Sequence, residues 1–503
     1  MKKRILLLAL ALLLAVSTVQ TVNVEASART ISWIVSVTYQ NVGNAPTAVQ
    51  VAFYQEGSAT AITYDAGTLN AGAAASFYMG NVSDISAGFR GNAVMASSQP
   101  LVATVVQFHQ NAPGETVKMR MLSNGFSSND GSEQYLVATV LGNTFSRTTI
   151  FSVQNLESEE ITATLKFYNA TNGNLDSTKS VDIPALSSKY VELDKTSMTG
   201  LPSTTFNGSV IITAVKKGTS NPAKVIAGAS ELYTNRDVGA NFEGVPLSRA
   251  SNKVYLATAL CKRYGLDTYY AVQNASLTES ATITVTYYNP DGTTQTTDGP
   301  YTIAAGQKKS ITTCAPSSGL DMSSFTGSAV ITTSNPDSKI VALGKAQASM
   351  PATPAYADVF TIFNGEPSGY SKISFPFVRW ADDARFKSPT NYGGYQRTYL
   401  AIQNLSATTL NVDVQYFGKN GDLVATQTLT IPPNAKVNSD ANAAGALGKN
   451  GMSPGAFGYY TDGSFGGGVI VVPSGGTSGA QFIAIARVQH PGAGEDYNGI
   501  SID

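Results

Sequence analysis

The stretch Ile161-Thr162-Ala163-Thr164-Leu165-Lys166-Phe167-Tyr168 alternates apolar and polar side chains, then runs into Asn169-Ala170-Thr171-Asn172-Gly173. A period of two places Ile161, Ala163, Leu165 and Phe167 on one face of a strand and Thr162, Thr164 and Lys166 on the other. A helix would need its apolar set at intervals of three and four. Asn172-Gly173 supplies residues that tolerate positive φ, so the strand is expected to fold back as a hairpin.

The same pattern returns further along the chain. Ile283, Val285 and Tyr287 alternate with Thr282, Thr284 and Thr286 ahead of Asp291-Gly292, and Leu410, Val412, Val414 and Tyr416 alternate with Asn411, Asp413 and Gln415 ahead of Asn420-Gly421. Around these strands a set of landmarks recurs four times in one order. A Gln-Asn pair closes a hydrophobic run at Gln40-Asn41, Gln154-Asn155, Gln273-Asn274 and Gln403-Asn404. An aromatic pair follows at Phe53-Tyr54, Phe167-Tyr168, Tyr287-Tyr288 and Tyr416-Phe417. A Phe stands two before a Gly at Phe89/Gly91, Phe206/Gly208, Phe325/Gly327 and Phe465/Gly467. Apolar runs carry Val102-Ala103, Ile226-Ala227, Val341-Ala342 and Ile483-Ala484, and the units close on Asn124-Gly125, Glu243-Gly244, Asn364-Gly365 and Asn498-Gly499. Such a period marks tandem structural units. About seven short strands per unit, with no sustained helical periodicity, predict an all-β chain of four tandem immunoglobulin-like β-sandwich modules at 29–128, 129–249, 250–368 and 369–503. Modules two to four open with an apolar strand that module one lacks, so the first module is expected to be trimmed, its edge either covered by its own loops or left open to a strand from another chain.

Residues 1–28 read as a secretory signal peptide. Lys2, Lys3 and Arg4 precede the apolar run Ile5 to Val16, and Ala26-Ser27-Ala28 offers small residues for cleavage. The run is too short to cross a bilayer as a helix, which takes roughly 20 residues. The expected location is extracellular or at the cell surface, with no integral membrane span. Removing three of 33 basic residues and Glu25 of 34 acidic ones leaves 30 against 33, which argues against a nucleic-acid partner. Charged residues make up 13% of the chain where about 25% is usual, so its surface hydrates through Ser, Thr, Asn and backbone. Cys261 and Cys314 are an even pair in one module, a possible disulfide in an oxidising compartment.

Catalytic signatures are missing from the sequence. His109 and His490 occupy matching places in modules one and four, which reads as inheritance with the repeat. There is no G-x-S-x-G or H-E-x-x-H. No cofactor is expected; Asn172-Gly173-Asn174-Leu175-Asp176 is at most a fragment of a calcium loop and lacks the closing Glu. Asn81, Asn169, Asn207, Asn274 and Asn404 satisfy N-x-[ST]. Module four carries an insertion from Arg379 to Tyr392 and a Gly-rich stretch near 463–479. Its Trp380, Asp382, Asp383, Arg385, Tyr392 and Tyr395 are candidate ligand-facing loop residues, with Tyr459 and Tyr460 as further stacking rings.

The ordered set Thr268-x-x-x-Val272-Gln273-Asn274, Val285-Thr286-Tyr287-Tyr288, Phe325-x-Gly327-Ser328 and Asn364-Gly365 resembles immunoglobulin-like repeats in secreted and surface proteins of filamentous bacteria such as the Chloroflexi. The resemblance implies a structural or adhesive role and brings no catalytic residue with it. The expectation is a row of four beads stacked end to end, each with its own core. It would act as a non-enzymatic surface protein whose partners are copies of itself, other surface proteins or glycans. Assembly into a coat or filament would proceed by strand complementation or end-to-end contacts. The alternative is a carbohydrate or ligand binder acting through the loops of module four.

Overall fold

Module 1 supplies β1 (Trp33–Asn41), β2 (Thr47–Gln55), β3 (Ala61–Leu69), β4 (Ala74–Tyr78), β5 (Gly91–Ser97), β6 (Leu101–His109) and β7 (Met119–Asn124). Module 2 supplies β8 (Gln134–Gly142), β9 (Arg147–Asn155), β10 (Ile161–Asn169), β11 (Leu175–Ile183), β12 (Ser188–Glu192), β13 (Phe206–Lys216), β14 (Val225–Tyr233) and β15 (Gly239–Glu243). The computed structural model describes residues 33–109, 119–193, 200–202, 205–349, 358–381, 394–449, 464–491 and 493–503.

The alternating stretch from Ile161 to Tyr168 lies in β10. Its apolar set is fully buried while Thr162, Thr164 and Lys166 stay half-exposed, and the Asn172-Gly173 turn returns it into the antiparallel β11. Module 2 is a sandwich of two antiparallel sheets, β11-β10-β13-β8 and β12-β9-β14-β15, with the short strand Val245–Pro246 added beside β8. Lettered in chain order, these are DCFA and EBGH. Constant-type immunoglobulin domains pack ABED on CFG, so the likeness lies in the layered sandwich. Module 3 repeats both sheets. In module 4 the two sheets join into one of nine strands, because Trp380 and Ala381 at the end of the leading strand pair with Arg397 and Gln396.

Each landmark has a mechanical use. The four Asn side chains are fully buried staples. Asn41 Nδ2 donates to Ala45 O and Leu69 O, Asn155 to Glu159 O and Ile183 O, Asn274 to Glu279 O and Ile303 O, and Asn404 to Thr408 O and Ile431 O. Each Oδ1 accepts the N–H two residues on, from Gly43, Glu157, Ser276 and Ser406. One carboxamide thereby satisfies three backbone groups in a turn, which few other side chains can do. The first ring of each aromatic pair meets the Phe before the Gly edge-on: Phe53–Phe89 at 6.4 Å, Phe167–Phe206 at 6.0 Å, Tyr287–Phe325 at 6.2 Å and Tyr416–Phe465 at 5.5 Å. Gly91, Gly208, Gly327 and Gly467 lie against the carbonyl oxygens of Tyr54, Tyr168, Tyr288 and Phe417, where a Cβ would collide. The closing glycines donate to the landmark alanines, Gly125 to Ala103, Gly244 to Ala227, Gly365 to Ala342 and Gly499 to Ala484.

The expected row of separate beads is corrected by the structure. The leading strand of module 2, β8, packs on the Gln-Asn sheet of module 3, the leading strand of module 3 on that of module 4, and that of module 4 on β1 and β6 of module 1. The last strands β7, β15, Phe360–Asn364 and Ala493–Asn498 lie side by side in cyclic order. Modules 1 and 4 therefore touch and the four sandwiches close into a ring. Their cores also run together. That of module 2 continues into Ala271, Val341, Leu343 and Phe360, that of module 3 into Ile483 and Ile485, and that of module 4 into Val106 and Leu122. The physical reason is that the outer faces of the Gln-Asn sheets of modules 1, 3 and 4 carry apolar side chains, which are buried only against a neighbour.

The fourth seam differs. Among the described residues no strand pairs with the outer edge of β5, the place that β8 takes on β13 in module 2. On the facing sheet of module 2, Ile150, Ser152, Gly228 and Ser230 remain half-exposed. At the module 2–3 seam the matching Ala271, Leu343 and Lys345 are buried.

Candidate functional site

Polar chemistry in this protein concentrates at the seams and around the ring axis. The landmark glutamines reach across the seams. Gln273 Nε2 donates to Val210 O at 3.2 Å, Gln403 Nε2 to Ser328 Oγ at 2.9 Å, and Gln40 Oε1 accepts from Ser374 Oγ at 2.9 Å. Each therefore binds the module that precedes it around the ring.

On the axis the four closing residues meet. Asn498 Oδ1 accepts from Asn364 N at 2.9 Å while its Nδ2 donates to Asn364 O at 2.8 Å. Asn364 Nδ2 donates to Glu243 O at 3.0 Å, and Asn124 Nδ2 to Asn498 O at 2.7 Å. Glu243 accepts from Asn124 N, but an ionised carboxylate has no hydrogen to return to a carbonyl. Burial raises the Glu243 carboxyl above its ordinary value, and nearby Glu366 adds to the shift.

The seams carry buried charges. Between modules 2 and 3, Glu231 is fully buried and binds Arg147 at 3.1 Å and Lys345 at 2.5 Å. The Arg147 guanidinium lies 4.7 Å from the ring centres of both Tyr233 and Phe360. Burial opposes ionisation of Glu231, but Lys345 and Arg147 together hold it below its usual range. Lys308 stands in the same pocket. Burial first, and the Lys345 charge second, push it down to about 7. Between modules 3 and 4, Arg487 pairs with Asp496 at 2.6 Å, and Lys436 is driven to about 7 by burial and by Arg487. Between modules 4 and 1, Arg120 meets Glu495 at 3.0 Å and His490 lies 3.3 Å from the same oxygen. His109 meets Asp237 at 2.9 Å between modules 1 and 2. The two histidines are thus seam residues in separate places.

No protein-family model matches the chain, and no curated protein matches it.

The candidate ligand-facing set is only partly placed. Asp382, Asp383, Arg385 and Tyr392, with Tyr459 and Tyr460, lie outside the described residues. Trp380 is half-buried in a strand, 5.6 Å from the Tyr399 ring, and the Arg397 guanidinium lies 5.1 Å from Trp380 and 4.8 Å from Tyr395. Its ring is engaged by its own module. Cys261 and Cys314 are joined by a disulfide. Asn172 Oδ1 accepts from Asn174 N, the bond of a hairpin turn. Asn274 and Asn404 are buried as staples, which leaves no room for a glycan in the folded chain; Asn81 is exposed. Sequence reading passed over Glu231, Lys308 and Lys345, and took Glu243 only as a closing landmark. Their one signal was a charge at a repeat position where other modules carry a small or neutral residue: Ser188 and Ala74 match Lys308, and Asn124 matches Glu243.

Proposed function

We propose that the protein is a non-enzymatic structural or adhesive component of the cell surface, exported by its signal peptide, that assembles with copies of itself by strand complementation at module 1. The observation that carries this reading is the outer edge of β5, with which no described strand pairs. Its sequence, Gly91-Asn92-Ala93-Val94-Met95-Ala96-Ser97, has no charge and no proline, and Val94 is 38% exposed. Proteins ordinarily guard such an edge with charges, proline or a bulge. A strand donated by a second copy would pair with β5, cover Ser152 and Gly228, and complete the module 1–2 seam as β8 completes the module 2–3 seam. The non-enzymatic reading is supported by the spending of the repeated polar residues on internal bonds.

The test is electron microscopy of the purified mature chain beside cell fractionation, with Val94→Lys as the edge-blocked variant. Polymers from the native chain, single rings from the variant and recovery in the surface fraction are expected. Polymers unchanged by Val94→Lys, or β5 amides protected from exchange in a monomer, overturn strand complementation. Recovery in the cytosol overturns the surface role.

A further inference from the structure

The module 2–3 seam brings a buried primary amine against a carboxamide. Lys308 is 3% exposed, and its Nζ donates to Asn207 Oδ1 at 2.6 Å and to Thr139 Oγ1 at 3.3 Å. The two residues belong to different modules and stand 101 positions apart. We propose that Lys308 and Asn207 become joined by an isopeptide bond that locks module 2 to module 3.

The chemistry balances without a co-reactant. Nζ attacks Asn207 Cγ; the Nζ–Cγ bond forms, the Cγ–Nδ2 bond breaks, one Nζ proton ends on Nδ2, and ammonia leaves. No electrons change hands. The reaction needs an uncharged amine, and the same burial that seals the seam brings Lys308 to about 7, so a large fraction is neutral at physiological pH. It needs proximity, which folding supplies by holding the two groups in contact. It also needs a positive environment for the oxygen of the tetrahedral intermediate. Arg147 and Lys345 both bind the single carboxylate Glu231, so with Lys308 neutral the two cations still exceed the one anion. Thr139 Oγ1 accepts from Lys308 Nζ at 3.3 Å and from Lys345 Nζ at 3.0 Å, which holds a hydroxyl beside the attacking nitrogen.

The repeat contains its own control. Lys436 takes the same strand position in module 4, opposite Gln403 as Lys308 is opposite Gln273, and is equally depressed. Thr326 stands there in place of Asn207, between Phe325 and Gly327. That amine has no carboxamide at the matching position, so one bond is expected and not two.

The experiment is the intact mass of the purified exported chain after disulfide reduction, referenced to its sequenced N-terminus, followed by peptide mapping. The expected result is a mass short by one ammonia, with a branched peptide joining 206–216 to 308–312. Lys308→Arg and Asn207→Ser should each restore the full sequence mass, and Asn207→Asp should retain the branch with loss of water instead. The native chain decides the question even if these variants do not fold. A full sequence mass with separate peptides overturns the proposal, as does a missing ammonia that maps to a cyclised Asn207-Gly208.

Discussion

Asn498 bridges both backbone polar groups of Asn364, accepting from its N–H at 2.9 Å and donating to its carbonyl at 2.8 Å. The two residues close modules 4 and 3, so one side chain imitates a strand neighbour across a module boundary. It is the most complete of the links around the ring axis, and it also donates to Glu366 at 2.6 Å.

Asn498→Ala leaves buried groups on Asn364 and Glu366 without partners. Each such group costs about 1–3 kcal/mol, so a loss of roughly 2–4 kcal/mol is expected. Denaturant unfolding measures it, and a change below about 0.5 kcal/mol, the size of an ordinary surface substitution, would show the bridge to be ornamental.

Glu243 makes the ring pH-dependent. Its folded-state pKa lies above the ordinary 4.5, so the unfolded chain loses the proton first as pH rises. The stabilisation is complete below about 4.5 and is lost as pH climbs through the raised value. Glu243→Gln keeps an acceptor for Asn124 N and removes the titrating carboxyl. It should match or exceed the native stability at neutral pH and flatten this limb of the pH profile, as read from unfolding midpoints. The groups facing residue 243 are Asn124, Asn364, Glu366 and Arg249, and a profile that keeps its slope in the variant would show that Glu243 is not its source.

Gly467→Ala drives a methyl group into the Phe417 carbonyl, between two strands paired in the continuous sheet of module 4. Neither strand can retreat without breaking its ladder, so a loss of about 3 kcal/mol or more is expected. Gly57→Ala, where the added carbon meets nothing within 4 Å, is the comparison. It suffers only from a φ of +74° and should lose about 1 kcal/mol, the scale of left-handed backbone strain. Thermal unfolding of both variants ranks them.

Lys436 titrates in the folded chain near 7 against an ordinary 10.5. The unfolded chain holds the proton across that window and the folded chain does not, so stability rises with pH between the two values. Lys436→Met removes the desolvation penalty while keeping the volume. It should raise stability at neutral pH by about 1–3 kcal/mol and weaken the alkaline rise, to which Lys345 also contributes, as read from midpoints at neutral pH and about two units higher.

Much of the module was legible in the sequence because its determinants are local. Alternation over 161–168 specified β10, and Asn172-Gly173 specified its turn. The landmarks stood out because the turn staple, the aromatic edge contact and the glycine approach each admit almost one residue type. The candidate site was less legible. Gln273 and Gln403 were visible as landmarks, yet nothing near them in sequence says that their amides cross into another module. Trp380 read as a loop platform, whereas the strand carrying it extends to Ala381 and sets the ring edge-on against Tyr399.

The sequence by itself determined an all-β chain built on four repeats of one unit, since side-chain period and turn chemistry act over a few residues. Only the tertiary structure decided that the units close into a ring. Closure depends on contacts such as Asn124 with Asn498, 374 positions apart, and on whether half-apolar outer faces find one another. The seam charges acquire their meaning the same way: Lys308 is an ordinary strand lysine until module 2 removes its water and sets Asn207 against its nitrogen.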